Sequence, residues 1–468
     1  MKPSSVRQIS VAIAAFGLFC GLPSMVKGQG GPPSEAFPGF SALMDPSIKA
    51  TFVHLGDHVP GLLYEPITPG EKSSIGILVM HSGGDYLNFP ACTEMSKRGY
   101  RVLCANVGSV FDTIEKKLLD VKLGVAYLRK YPGIRQVILW GHSGGGTLMS
   151  AYQDIAENGL RACQGPEKIY RCSDKVAGLP PADGLMLIDA NFGDGAMVLM
   201  SLDPAVVEEE DGQTLNPELN QFNPQNGFNP AGSTYSEEFI HKFQKAEGKR
   251  ESQLIKTALD RLTLINSGKG HFADDEPFIV SGGNGTSPGN KLFPQDIRLM
   301  SHTRKAWPLL RPDGSTVTQV VHSVRVPQFP TSPTPLYEGG AIPTTVRNFL
   351  GTYAIRVTDD FGYDEKSVHG IDWTSTISSP PGDVEGVTVP LLTMGMTGSW
   401  EFMAAETIYE NAKSSDKSLA YVEGASHGYQ TCHECEKYPG QFGDTQKTTF
   451  DYVDSWLSEK GRYIPEGK

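Results

Sequence analysis

The chain offers little that would hold it in a membrane or against a nucleic acid. Its N-terminal apolar run, Val11 to Leu22, falls short of the roughly 20 residues that span a bilayer as a helix. It carries no block of lysine or arginine, and its formal net charge is -12, which excludes a nucleic-acid binder that must neutralise phosphates. No internal repeat is evident, which excludes a solenoid. A single CxxC, Cys432-His-Glu-Cys435, has no second pair to complete a zinc cluster.

The N-terminus is organised as an export signal. Lys2 and Arg7 precede the apolar run, and a polar, small-residue region follows it to Gly28 or Gly30. Residues 1–30 are therefore read as a signal peptide and short linker, which predicts a secreted or periplasmic protein with no stable membrane span after cleavage. Of seven cysteines Cys20 lies in the signal, so six remain for an oxidising compartment. The favoured pairs are Cys163 with Cys172, Cys92 with Cys104, and Cys432 with Cys435, although the count alone does not choose a connectivity. Asn284-Gly-Thr286 is a potential N-glycosylation site.

With 468 residues, of which 39% are hydrophobic, the chain can bury a large core. Alternation begins after a proline- and glycine-containing arm at about 31–48. Short strands at 50–55 and 59–64 lead to a nearly all-apolar strand, Ile75 to Met80, as expected inside a sheet covered on both faces. A helix at 88–98, a strand at 100–105, an amphipathic helix at 113–131 and a strand from Val137 follow, and Gly184 to Asp189 resumes the sheet. This alternation predicts a parallel α/β sheet. From about 192 to 385 the pattern changes to asparagine, proline and glycine clusters around a long helical stretch, Ser236 to Leu264. The core pattern returns in a strand at 387–394, a helix at 401–413, a strand at 418–423 and an amphipathic C-terminal helix at 447–460.

The strand Val137 to Trp140 stops at Gly141-His142-Ser143-Gly144-Gly145, which fits G-x-S-x-G, and a helical segment follows. In that context the motif is a sharp strand-to-helix turn that lifts the Ser143 hydroxyl above a sheet. His81-Ser-Gly-Gly84 directly follows the buried strand at 75–80, and Ser426-His427-Gly428 directly follows the last clear strand.

The order of these pieces resembles the α/β-hydrolase superfamily, particularly secreted serine esterases with a large cap insertion. The resemblance covers roughly residues 50–190 and 385–460. It implies an α/β-hydrolase sheet, mostly parallel, in two parts, 31–191 and 386–468, separated by an inserted cap or lid at 192–385. It assigns Ser143 as nucleophile, His427 as base and then acid, and the N–H groups of Gly144 and of Gly83 or Gly84 as oxyanion donors. His81, tethered beside the oxyanion loop, reads as structural, and His142 as a packing or pocket residue.

The acid departs from the pattern. The loop after the strand at 387–394 reads Gly395-Met-Thr-Gly-Ser-Trp-Glu-Phe402 and holds no aspartate. Glu401, its nearest carboxylate, is the expected acid. Asp189 is the main alternative, with Asp360 and Glu406 behind it. Trp400 and Phe402 are candidates for an apolar pocket wall.

The implied function is a secreted carboxylic ester hydrolase working through an acyl-enzyme, on a small-molecule or polymeric ester. The alternatives are an amidase or peptidase with the same residues, or a non-catalytic binding protein on a hydrolase scaffold. No metal or organic cofactor is required. The sequence leaves the oligomeric state open.

Overall fold

The computed structural model describes residues 45–209, 214–283, 291–328 and 340–464. The segment read as a signal, 1–30, and the potential glycosylation site at Asn284 lie outside them. Among the described residues no helix is long and apolar enough to cross a membrane.

The centre of the molecule is a ten-stranded sheet in the order β1-β2-β4-β3-β5-β6-β13-β14-β8-β9. Its first half comprises β1 (Ile48–Leu55), β2 (Val59–Pro66), β3 (Ile75–Val79), β4 (Arg101–Ala105), β5 (Gln136–Ser143) and β6 (Gly184–Ala190). The β1–β2 hairpin is antiparallel and joins β4 antiparallel, whereas β4, β3, β5 and β6 run parallel. Helices α1 (Pro90–Lys97), α2 (Ile114–Lys130) and α3 (Gly144–Asn158) make the crossovers. Every residue of β3 and of β6 is buried, which explains the continuous apolar runs in place of polar alternation.

Side chains still alternate between the two faces, because successive residues of a strand point oppositely. Leu78, Leu139, Leu185 and Leu187 pack with Leu118, Val121 and Val125 of α2 and Leu148 and Tyr152 of α3. Ile77, Val79, Ile138, Trp140, Met186 and Ile188 pack on the opposite face with Met95 of α1 and with Phe450, Val453 and Trp456 of the C-terminal helix Thr445–Leu457. Thr113 caps α2 by accepting the Lys116 N–H, and Asp444 caps the C-terminal helix by accepting the Lys447 N–H at 2.8 Å. Each cap satisfies one of the donors that a helix start leaves unpaired.

The second half supplies β13 (Leu391–Met396) beside β6 and β14 (Lys417–Val422) beside β13, both parallel. The helix Met403–Asn411 connects them. This strand order, interrupted by a large insertion after β6, is the α/β-hydrolase fold with an inserted cap.

The insertion contains the 30-residue helix Glu237–Asn266 and two antiparallel ribbons. One ribbon pairs β7 (Pro277–Ser281) with β10 (Ala341–Thr345), and the other pairs β11 (Arg356–Tyr363) with β12 (Val368–Asp372). Leu254, Ala258, Ile265, Phe278, Val280, Phe349 and Leu350 form a small core of its own.

Part of the segment read as a cap is in fact main sheet. The antiparallel hairpin β8 (His302–Leu310) and β9 (Thr316–His322) lies within 192–385, yet β8 pairs parallel with β14 through Leu309 opposite Tyr421 and Leu310 opposite Val422. Without this hairpin β14 would be an edge strand with unpaired backbone groups. Phe243, Phe293, Phe361 and Tyr363 of the insertion also belong to the main hydrophobic core.

Cys92 is bonded to Cys104, Cys163 to Cys172 and Cys432 to Cys435, the three pairs favoured from sequence. The first ties α1 to β4 inside the core. Replacing Cys92 and Cys104 together by alanine is expected to lower the unfolding free energy by about 2–4 kcal/mol, read from urea denaturation. A double variant as stable as its parent would show that packing alone holds α1.

Candidate active site

The strand β5 ends on Ser143, whose φ of 53° and ψ of -130° put a non-glycine residue in a costly conformation. Neighbouring backbone holds it there. A Cβ on Gly145 would sit 2.5 Å from the Met80 carbonyl oxygen, and one on Gly141 would sit 2.7 Å from the Gly145 carbonyl oxygen. Glycine at these positions lets the first turn of α3 descend onto the ends of β3 and β5. The N–H of Gly144, which opens α3, is among those left without an intrahelical acceptor. Ser143 is paired with Ala190 of β6, and its carbonyl accepts the Asn191 N–H at 3.4 Å.

That register puts Asp189 beside the turn. Asp189 is fully buried, with a left-handed φ of 48°. Its Oδ2 lies 2.7 Å from Nδ1 of His427, and its Oδ1 accepts the Met396 N–H at 2.8 Å. A carboxylate only accepts, so Nδ1 carries the proton and Nε2 is the nitrogen left to face the site. His427 sits in a turn directly after β14, closed by Tyr429 N–H to Ser426 O at 3.0 Å and Ser426 N–H to Gln430 O at 2.7 Å. The Cys432–Cys435 bridge lies just beyond.

Sequence proximity and spatial proximity part company at the acid. The carboxylate on Nδ1 is that of Asp189, the alternative, whereas Glu401, the expected acid, lies on the other side of the ring. Its Oε2 is 3.7 Å from Nε2, too long for a hydrogen bond but close for an ion pair. The reason is topological. Glu401 lies beyond the turn after β13, and β6 is the strand flanked by both the elbow strand and β13. Glu406 is buried elsewhere, accepting from the Arg304 and Lys305 N–H groups and from Trp307 Nε1. Asp360 is on β11 of the insertion, where it accepts from the Thr358 hydroxyl.

The two carboxylates dominate the electrostatics. Burial disfavours charge on His427, but the attraction of Glu401, followed by the hydrogen bond and charge of Asp189, pushes the imidazole up to about 9. Its side chain remains 40% exposed, so the ring is open to a substrate. Glu401 is 6% exposed, and burial pushes it up to about 7 against the opposing pull of His427.

His142 is a fixing residue for His427. Its Nε2 is 2.7 Å from the His427 carbonyl oxygen and its Nδ1 is 2.5 Å from the Tyr86 hydroxyl. The carbonyl can only accept, so Nε2 carries the hydrogen and Nδ1 accepts from Tyr86. Burial first, then the neighbouring His427, holds this imidazole well below its ordinary range and therefore neutral.

The loop after β3 differs from its expected arrangement. The N–H groups of Gly83 and Gly84 both donate to Nδ1 of His81, at 2.9 and 2.7 Å. The tight turn satisfies its own donors, so neither is aimed at a substrate in this conformation. Sequence reasoning passed over Ser82. Its hydroxyl lies 2.6 Å from where a Cβ on Gly144 would stand, against the first residue of α3. The signal was available, since Ser82 is the hydroxyl residue inside the HSGG segment. Of the proposed pocket aromatics, Trp400 is half-buried against Phe293 of the insertion, whereas Phe402 is a core residue packed edge-on to Tyr421.

No protein-family model matches the chain. No curated protein matches it. Among solved structures it is similar to a hypothetical protein from Pseudomonas aeruginosa, at 11% identity over 91% of this chain and 96% of that one, with a TM-score of 0.40. Est1E from Butyrivibrio proteoclasticus is similar at 11% identity over 88% of this chain and 98% of that one, with a TM-score of 0.36. The siderophore hydrolase EstB from Aspergillus fumigatus is similar at 10% identity over 88% and 98%, with a TM-score of 0.40. Likeness at these levels carries no inference about chemistry, which is drawn from the geometry above.

A side chain at position 145 would strike a backbone oxygen that cannot rotate away. Gly145→Ala is expected to lower the melting temperature by several degrees, as overpacking typically costs about 1–3 kcal/mol. An unchanged thermal transition would show that the turn is less crowded than the Met80 contact requires.

Proposed function

We propose that this chain is a secreted or periplasmic serine hydrolase that cleaves carboxylic esters. The observation that carries the reading is the 2.7 Å contact between His427 Nδ1 and buried Asp189, on a sheet whose neighbouring strand ends in the strained Ser143 turn. Three disulfides suit the oxidising compartment that the export signal implies.

In the proposed cycle Ser143 Oγ attacks the ester carbonyl while Nε2 of His427 takes its proton. The imidazolium is stabilised by Asp189 through Nδ1 and returns the proton to the leaving alcohol. Water repeats the sequence on the acyl-enzyme and frees the acid. The Gly144 N–H and the Ser82 hydroxyl are assigned as the oxyanion donors, on the strength of the Gly144 N–H opening the helix after Ser143 and of Ser82 Oγ packing against Gly144. Ser143 and Gly144 share the turn after β5, whereas Ser82, Asp189 and His427 come from the ends of three other strands, which is where such folds carry their chemistry.

A fluorophosphonate probe is expected to label the folded protein at Ser143 and to leave Ser143→Ala unlabelled, as read by peptide mass spectrometry. No adduct on folded wild type would defeat the proposal. Comparing p-nitrophenyl butyrate with the matched anilide separates ester from amide hydrolysis, and faster turnover of the anilide would favour an amidase. Asp189→Asn is expected to lower kcat by roughly 10⁴, as loss of the orienting carboxylate does elsewhere.

Ser82→Ala is expected to lower kcat by about 10²-fold with KM little changed, because an oxyanion donor acts mainly in the transition state. An equal kcat with a raised KM would instead make Ser82 a substrate-binding hydroxyl.

A further inference from the structure

We propose that Glu401 is a positioning residue that acts on His427 from the Nε2 side, so that the resting site holds an imidazolium between two carboxylates and Ser143 gains its base only when the Nε2 proton leaves. The inference rests on the proposed hydrolase reading for its activity readout alone.

The geometry is unusual for a spectator carboxylate. Glu401 Oε2 is buried without a hydrogen-bond partner and lies 3.7 Å from Nε2. A carboxylate oxygen removed from water and left unbonded is expensive unless a cation compensates it. The backbone turn that carries it is fixed, since the Glu401 N–H donates to Ser399 Oγ at 3.1 Å.

The surrounding charges leave His427 as that cation. Lys291, fully buried on the insertion with its ammonium 5.5 Å from the Trp400 ring centre, also attracts Glu401, but burial pushes it down to about 7. Glu247, buried on the long helix, is held well above its ordinary range by burial, and it supports the charge on Lys291. Asp189 and Asp194 both disfavour charge on Glu401. On the ring side His142 and His81 are both held low, chiefly by burial, so neither adds a competing positive charge near neutrality. Among the described residues, Glu401 is the carboxylate in ion-pair range of Nε2.

The consequence has a definite sign. Opposite charges favour the protonated imidazole, so the free base grows in as pH rises towards the raised value of about 9. The rising limb of kcat/KM therefore lies on the alkaline side. Removing the Glu401 charge removes the attraction at Nε2 and shifts that limb towards acid.

The test measures kcat/KM for p-nitrophenyl butyrate against pH in wild type, Glu401→Gln and Glu401→Asp, with the His427 imidazole titrated in parallel by NMR of protein labelled at the histidine ring carbons. Glu401→Gln is expected to lower both midpoints by about one pH unit or more and to raise kcat/KM at pH 7 several-fold. Glu401→Asp, which keeps the charge, is expected to stay closer to wild type. An unmoved midpoint in Glu401→Gln, or a uniform loss of activity at every pH with the midpoint in place, would overturn the proposal and leave Glu401 a shaping residue. If no variant hydrolyses any ester, the hydrolase reading fails by itself, and the NMR midpoints still decide whether Glu401 controls His427.

Discussion

Asp189 joins three chain segments that are remote in sequence. From the end of β6 it accepts the backbone N–H of Met396 at the end of β13 and faces the imidazole that follows β14. A fully buried carboxylate is tolerated because both oxygens meet donors, one of them on a ring that can carry charge. The ends of three adjacent strands are thereby tied, and Ser143 is paired with the very next residue, Ala190. The left-handed backbone at Asp189 and at Ser143 is the local cost of this arrangement, and it falls at the two positions where the side chain has to leave the sheet.

Much of this was legible in the residues. The glycines around Ser143 announced a crowded turn, and the crowding is there in the approach of Gly145 to Met80 and of Gly141 to Gly145. The apolar runs marked β3, β5 and β6 because both faces of those strands are covered. The strand before His427 was visible in the sequence pattern, whereas the choice of His427 as base came from the resemblance to the hydrolase order of pieces. The acid was harder, because proximity along the chain favoured Glu401, whereas reach depends on which strand ends beside the imidazole. A polar residue closing the fully apolar run of β6 was the available clue to Asp189. The turning of the Gly83 and Gly84 N–H groups onto His81 had no signature at all, since it depends on a side-chain rotamer within the loop.

The insertion was the least legible region. Its strands are short and exposed on one side, and they carry charge or proline, as in His302-Thr-Arg-Lys-Ala-Trp-Pro-Leu-Leu310. Only partners distant in sequence make them strands, as tertiary context does for weak β patterns generally. Around the candidate site the insertion contributes Phe293 against Trp400 and the buried Lys291. The insertion thus sets aromatic surface and an ionisable group against Trp400, the residue next to Glu401.

The hairpin β8–β9 alters what can be exchanged in this architecture. Because β8 pairs with the last two residues of β14, Tyr421 and Val422, and β14 leads directly into the His427 turn, the end of the strand behind the imidazole is interior to the sheet. A chimera that swapped residues 192–385 as one cassette would strip that strand of its neighbour and open a sticky edge next to the candidate site. Any graft onto this scaffold has to leave His302–His322 in place, together with the flanking residues Phe243, Phe293, Phe361 and Tyr363 that fill the main core.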